Sequence, residues 1–221
     1  MTLIDLSSQD SSLQHFVSAL RDVNVQRDPM RFRHNLRRIG WLMGYEVSKV
    51  IGGYQSTDIQ TPLGIAPMRL SKEPIVVGTI FRAGLPFHEG ILDIFDQAEN
   101  AFVSAYRYYK DKECADVGIR IEYIASPDLE GKTLILADPM LATGGSMELG
   151  YQAFCTHGTP SQVHFCSIIA ARQGVDYLQE KFGEREDVHL WCAAIDPSLN
   201  AHAYIVPGLG DAGDLAYGPK L

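Results

Sequence analysis

At 221 residues the chain can form one α/β domain with a full core, and no linker, internal repeat or low-complexity tract divides it. Its 46% hydrophobic and 21% charged residues are ordinary for a globular protein, and no run of about eighteen apolar residues would cross a membrane. A formal charge of −8 repels nucleic acid, and residues 1–10 lack the basic-then-apolar order of a signal peptide, so neither nucleic acid nor membrane is an expected partner.

From Pro29 to about Ile51, apolar residues at Phe32, Leu36, Ile39, Met43, Val47 and Val50 predict an amphipathic helix with proline near its start. Arg31, Arg33, Arg37 and Arg38 fall on its other face. They read first as a solvated basic face, with a phosphate or effector site as the alternative. Ile75–Ile80 reads as a buried strand and Leu85–Gln97 as a helix. Phe102–Tyr106 is a second strand. Arg107–Gly118, rich in Tyr, Lys and Asp, then reads as a hairpin arm or lid, with an inert surface hairpin as the alternative; Ile119–Ile124 is extended again. Thr133–Ala137, Val163–Ala170 and Val188–Ala194 are three more strands, separated by helices at about Ser146–His157 and Gln173–Phe182. Such alternation predicts an α/β fold, a largely parallel sheet flanked by helices. Cys114, Cys155, Cys166 and Cys192 form no CxxC pair and read as free thiols of a cytoplasmic protein, and the seven histidines show no ligand-like spacing.

Ligands on parallel sheets bind outside the carboxyl ends of the strands. Three polar loops sit at such ends: Phe81–Gly84, Arg107–Lys112 and Asp138–Ser146. The last is the most informative, because an apolar strand ends in Asp138 and a Pro-Met-Leu-Ala-Thr-Gly-Gly-Ser turn then opens a helix. The Thr143 and Ser146 hydroxyls and the Gly144 and Gly145 amides suit a phosphate. Asp138 can accept hydrogen bonds from ribose hydroxyls. The loop is neither GxxxxGK[ST] nor GxGxxG, so kinase and dinucleotide readings weaken. Near the other end, Gly208, Gly210 and Gly213 free the backbone to approach a flat ligand closely.

Asp138-Pro139-Met140-Leu141-Ala142-Thr143-Gly144-Gly145-Ser146 resembles the phosphoribosyl pyrophosphate (PRPP) loop of type I phosphoribosyltransferases, and more narrowly that of uracil phosphoribosyltransferases, which share the single acid followed by proline. Arg82-Ala83-Gly84-Leu85 resembles that family's arginine loop, Tyr106-Arg107 the start of its flexible arm, and Tyr204–Asp214 its uracil-binding segment. The resemblance runs from about Phe32 to Lys220. It implies a single domain over 1–221, with a mobile arm at 107–124 and a uracil-binding hood at 195–221.

It further implies pyrimidine salvage, uracil + PRPP → UMP + pyrophosphate, in a homodimer or larger homo-oligomer, with Mg²⁺ bound mainly through PRPP and water rather than by a protein cage. By the same resemblance Arg82 and Arg107 meet the diphosphate and residues 138–146 hold the ribose 5-phosphate end. Ile205, Gly210, Asp211 and Ala212 hold uracil, and Asp211 also reaches PRPP or its metal shell. Arg82, Arg107, Asp138 and Asp211 are the candidate catalytic residues. Uracil's acceptor–donor–acceptor edge suits complementary backbone groups, which would be left unpaired by cytosine. Two departures stand out. Pro86-Phe87 replaces the usual Gly-Met, and Tyr108-Tyr109-Lys110-Asp111 replaces a more acidic run. The alternatives are a non-catalytic sensor of PRPP or UMP, opposed by the net charge and the full set of loops, and a phosphoribosyltransferase for another nucleobase.

Overall fold

The protein is described from a computed structural model, which covers residues 1–109 and 117–219, with side chains omitted over 105–121. The elements, in chain order, are β1 (Thr2–Asp5), α1 (Leu13–Arg21), α2 (Pro29–Ser48), β2 (Tyr54–Thr61), β3 (Gly64–Ser71), β4 (Ile75–Phe81), α3 (Gly84–Leu92), β5 (Glu99–Tyr109) and β6 (Val117–Ala125). There follow β7 (Thr133–Ala137), β8 (Met140–Leu141), α4 (Gly145–Phe154), β9 (Gln162–Ala171), α5 (Arg172–Phe182), β10 (Val188–Asp196), β11 (Ser198–Leu199), β12 (Ile205–Val206) and α6 (Ala212–Tyr217).

The main sheet has the order β1-β10-β9-β7-β4-β5-β6. Neighbours are parallel except β5 and β6, which form an antiparallel hairpin. Successive strand residues feed opposite faces. In β7, Ile135 and Ala137 join the core under α1, α2 and α3, while Leu134 and Leu136 join the core under α4 and α5. Burial on both faces is why these strands read as continuous apolar runs.

Helix α2 begins as its sequence suggests. Asp28 accepts hydrogen bonds from the Met30 and Arg31 amides, and Pro29 occupies the first turn, where its missing N–H costs nothing. It crosses α3 at glycines. A Cβ on Gly40 would lie 2.4 Å from the Phe87 carbonyl, and one on Gly90 would lie 2.1 Å from that of Arg37. That close approach leaves Phe87 fully buried. Pro86 likewise sits in the first turn of α3, where no intrahelical bond is lost. The unusual Pro86-Phe87 pair is thus accommodated by packing.

Several expectations shift. Helix α3 stops at Leu92 rather than Gln97, and its cap Asp93 accepts from the Arg37 guanidinium and the Trp41 indole. The basic side of α2 is not a freely solvated face. Arg33 donates to the Ala216 carbonyl, Arg37 pairs with Asp93, and Arg38 donates to Asn35. Strand β1, helix α1 and the β2–β3 hairpin have no counterpart in the sequence reading. The hairpin is exposed along nearly its whole length, so no buried face imposes an alternating pattern on its residues. The tip of the expected arm, 110–116, lies outside the described residues.

Candidate active site

Parallel pairing of β4, β5 and β7 puts their carboxyl ends, and the loops that follow, on one edge of the sheet. After β7 the Asp138 amide donates to the Cys166 carbonyl, and Met140-Leu141 pairs with Ile169-Ala170 of β9. The Pro139 carbonyl accepts from both the Ile168 and Ile169 amides. The loop read as a turn between strand and helix is thus also stitched along β9. Ala142 is buried and Thr143 exposed. Gly144 takes φ +89 and caps α4 without a side chain. The first amides of α4, from Gly145 and Ser146 onward, have no intrahelical acceptor, and the helix dipole adds to their pull on an anion. Met140, Leu141, Ala142, Thr143, Gly144 and Ser146 line the pocket in front of them.

Helix α5 braces this loop from behind. A Cβ on Gly144 would lie 2.5 Å from a Tyr177 ring carbon, and one on Gly174 would lie 2.5 Å from the Ala142 carbonyl. The Tyr177 hydroxyl donates to Glu148 of α4, a bond that heads the causes raising its pKa to about 12. Tyr177 and Glu148 are thus supports that the sequence reading missed; the only signal was a tyrosine one turn beyond Gly174.

The arginine loop is seated on the same strand ends. Thr79 donates to the Ala137 carbonyl at 3.0 Å, and a Cβ on Gly84 would lie 2.1 Å from the Thr79 hydroxyl. Only glycine lets α3 start so close to the end of β7. Arg82 then points to the chain's last segment, where its Nη2 donates to Asp214 at 2.7 Å and its Nη1 to the Gly218 carbonyl at 3.2 Å. Arg107 lies in β5 opposite Ile119; its side chain is outside the described residues.

The C-terminal segment is anchored at Asp196, at the end of β10. This buried carboxylate takes both Nη groups of Arg21, at 2.8 and 2.7 Å, and the Gly208 amide at 2.8 Å. Arg21 also donates to the Gly208 carbonyl, and Gln26 to that of Leu209. Asp196 too was missed, although Asp196-Pro197 repeats at a strand end the Asp138-Pro139 signature. Buried Ile205 pairs with Leu199, Gly208 and Gly210 take φ +59 and +95, and Asp211 caps α6 by accepting the Asp214 amide at 3.0 Å. Gly210 is exposed, and Ala212 is buried behind Asp211. Ala137, Ala142, Ile205, Leu209, Ala212 and Ala216 share one apolar cluster. The 138–146 loop and the glycine-rich tail are therefore two rims over one core, with Arg82 reaching the tail from the end of β4.

Comparison with known proteins agrees with this arrangement. The family model described as uracil phosphoribosyltransferase matches residues 7–219. A uracil phosphoribosyltransferase of Porphyromonas gingivalis is 53% identical over 221 residues, covering 100% of both chains. One from Methanothermobacter thermautotrophicus is 36% identical over 193 residues, covering 86% of this chain and 85% of its own. A solved structure of an Aquifex aeolicus protein superposes with a TM-score of 0.85 at 31% identity, covering 98% of each chain. The chain belongs to the uracil phosphoribosyltransferase family.

Proposed function

We propose that the protein transfers the 5-phosphoribosyl group of PRPP to uracil, forming UMP and releasing pyrophosphate. The observation that carries this reading is the shared edge. An anion cradle at the start of α4 and a glycine-rich backbone segment rest on one apolar cluster, with Arg82 bridging to the second. The amides at the start of α4 hold the 5-phosphate, and Asp138 receives the ribose hydroxyls. The backbone of Ile205 and of Gly210–Ala212 reads the uracil edge. Uracil N1 bonds to ribose C1 as the C1–diphosphate bond breaks, through a transition state with oxocarbenium character, and the N1 proton leaves to the departing pyrophosphate or to water. No side-chain nucleophile is required. Arg82 and Arg107 offset charge building on the leaving diphosphate.

Mg²⁺ fits this donor set. It keeps several waters and takes one or two carboxylates plus substrate phosphates, which suits Asp211 beside a PRPP-borne ion. When bound it would supply further neutralisation of the leaving group. The β5–β6 hairpin is the element that would close over the site and exclude water.

The same reading assigns the reaction to the cytoplasm and to a homodimer or larger homo-oligomer, as the family resemblance implies. Among the described residues no helix is long and apolar enough to cross a membrane. The β2–β3 hairpin exposes Ile59, Leu63, Ile65, Met68 and Leu70, an apolar surface of the kind that a second subunit covers. Sedimentation at micromolar concentration tests the assembly, and a monomer would refute it. The function is tested by pyrophosphate release from PRPP and Mg²⁺ with uracil, cytosine, hypoxanthine or 5-fluorouracil. Uracil-dependent turnover is expected, reduced ~10²–10³-fold in Asp211→Ala. Absence of uracil-dependent release by the wild type would sink the reading.

A further inference from the structure

We propose that Asp214 is a positioning residue: it aims the Arg82 guanidinium at the PRPP diphosphate and couples that arginine to the uracil segment. The inference rests on the function proposed above and assigns a task to a residue outside both predicted substrate-binding sets. Arg82 leaves the end of β4 as a long side chain with several rotatable bonds, and α6 takes up that freedom. Asp214 accepts from one Nη at 2.7 Å and the Gly218 carbonyl from the other at 3.2 Å. Gly213 lies against the guanidinium, where a Cβ would be 3.2 Å from Nη2 and 3.1 Å from Asp211 Oδ1. Arginine carries five N–H donors in a rigid plane, so two tail contacts fix the plane and, with Nε buried, leave one donor on each Nη for another ligand. Among the described residues Arg82 Nε is buried without a partner.

Stability does not account for the pair. The side chains of Arg82 and Asp214 are 35% and 38% exposed, and ion pairs that wet contribute little to folding. Orientation is what it supplies. A cation that must meet a diphosphate as charge develops gains most when its geometry is set before the ligand arrives. The tether also leads back to the base. Asp214 gives its amide to Asp211, the residue that opens α6 in the middle of the uracil segment. A displacement of that segment is thereby transmitted to Arg82 through two hydrogen bonds.

The test compares wild type, Asp214→Asn, Asp214→Ala, Arg82→Ala and the double variant Arg82→Ala/Asp214→Asn. Steady-state kinetics with both substrates, calorimetric PRPP binding and thermal melting are measured on each. Asp214→Asn is expected to lower kcat/KM for PRPP about tenfold, the size of one charge-assisted hydrogen bond, with Tm within about 3 °C of wild type. In the Arg82→Ala background the same change should cost less than about twofold, because its target is gone. An equal cost with and without Arg82, or an unaltered kcat/KM, would overturn the proposal. Asp214→Asn keeps an acceptor for the guanidinium, so the cycle stays readable even where Asp214→Ala fails to fold. PRPP binding on the same proteins reads the coupling without turnover. A wild type that binds PRPP but does not consume uracil would therefore defeat the function while leaving the coupling to be decided by binding.

Discussion

Residues 138–146 and residues 196–218 reach the same edge of the sheet, but the first segment is held by backbone hydrogen bonds to β9 and close steric contact with α5, and the second, above its buried apolar residues, by hydrogen bonds to a few charged side chains. The phosphate loop is pressed between β9 and α5 so closely that neither Gly144 nor Gly174 has room for a methyl group. The tail has little regular structure of its own, and Asp196, Arg21, Asp211 and Asp214 hold it. A phosphate is a fixed tetrahedral anion that a rigid cup of amides can match. A flat base has to enter and leave beside a reacting centre, and a hood hung on polar tethers can move as a unit. The contrast predicts that the first half fails when atoms are added and the second when charges are removed.

The largest expected effect erases the contrast by removing the shared floor. Burial lowers His88 to about 4 and His164 to about 3, the neighbouring His189 adding to the effect on His164. Both stay neutral in the folded protein while their unfolded counterparts protonate below about 6.5. Stability is therefore complete above that pH and falls as pH drops toward 4, by on the order of 3 kcal/mol for each histidine. Chemical denaturation at pH 7.5, 5.5 and 4.5 measures it. His164→Gln should flatten the profile, and an unchanged slope would count against burial as its cause.

Next in size is Asp196→Ala, which leaves the Arg21 guanidinium and the Gly208 amide without their acceptor. A loss of about 2–4 kcal/mol is expected, together with a larger rise in KM for uracil than for PRPP. Equal rises would mean that the two halves are not separately anchored. Gly144→Ala should act in the opposite sense. A positive φ costs about 1–2 kcal/mol and the contact with Tyr177 about 1–3 more, with KM for PRPP rising and that for uracil nearly constant. Shrinking the obstacle in Gly144→Ala/Tyr177→Ala should recover part of the loss. The smallest effect is Thr143→Val. Its side chain is exposed and the cradle is mostly backbone, so a two- to roughly tenfold rise in KM for PRPP is the ceiling. A hundredfold rise would shift the phosphate contact from the amides to this hydroxyl.

Much of the scaffold was legible because parallel strands buried on both faces leave long apolar runs. Thr133–Ala137 was read with the limits that the structure gives, and Val163–Ala170 within one residue at each end. The strand–loop–helix unit around residues 138–146 was legible because strand, acid, glycines and helix follow one another within thirteen residues. Strand β1 was not, since only pairing with β10 makes four residues into a strand. The contacts of Arg33 and Arg37 were not legible because their partners, Ala216 and Asp93, lie far along the chain, whereas Arg38 meets Asn35 of its own helix.

The sequence by itself determined the alternation of the main strands and helices between β4 and β10, the strand–loop–helix unit around residues 138–146 and the family, since these depend on residue types close together along the chain. Only the tertiary structure decided that Asp196 anchors the tail, that Tyr177 braces the phosphate loop and that Asp214 holds Arg82. Those pairings join residues up to 175 positions apart, as Arg21 and Asp196 are. No local pattern encodes them, because each depends on the close packing of a folded core that brings one particular donor to one particular acceptor.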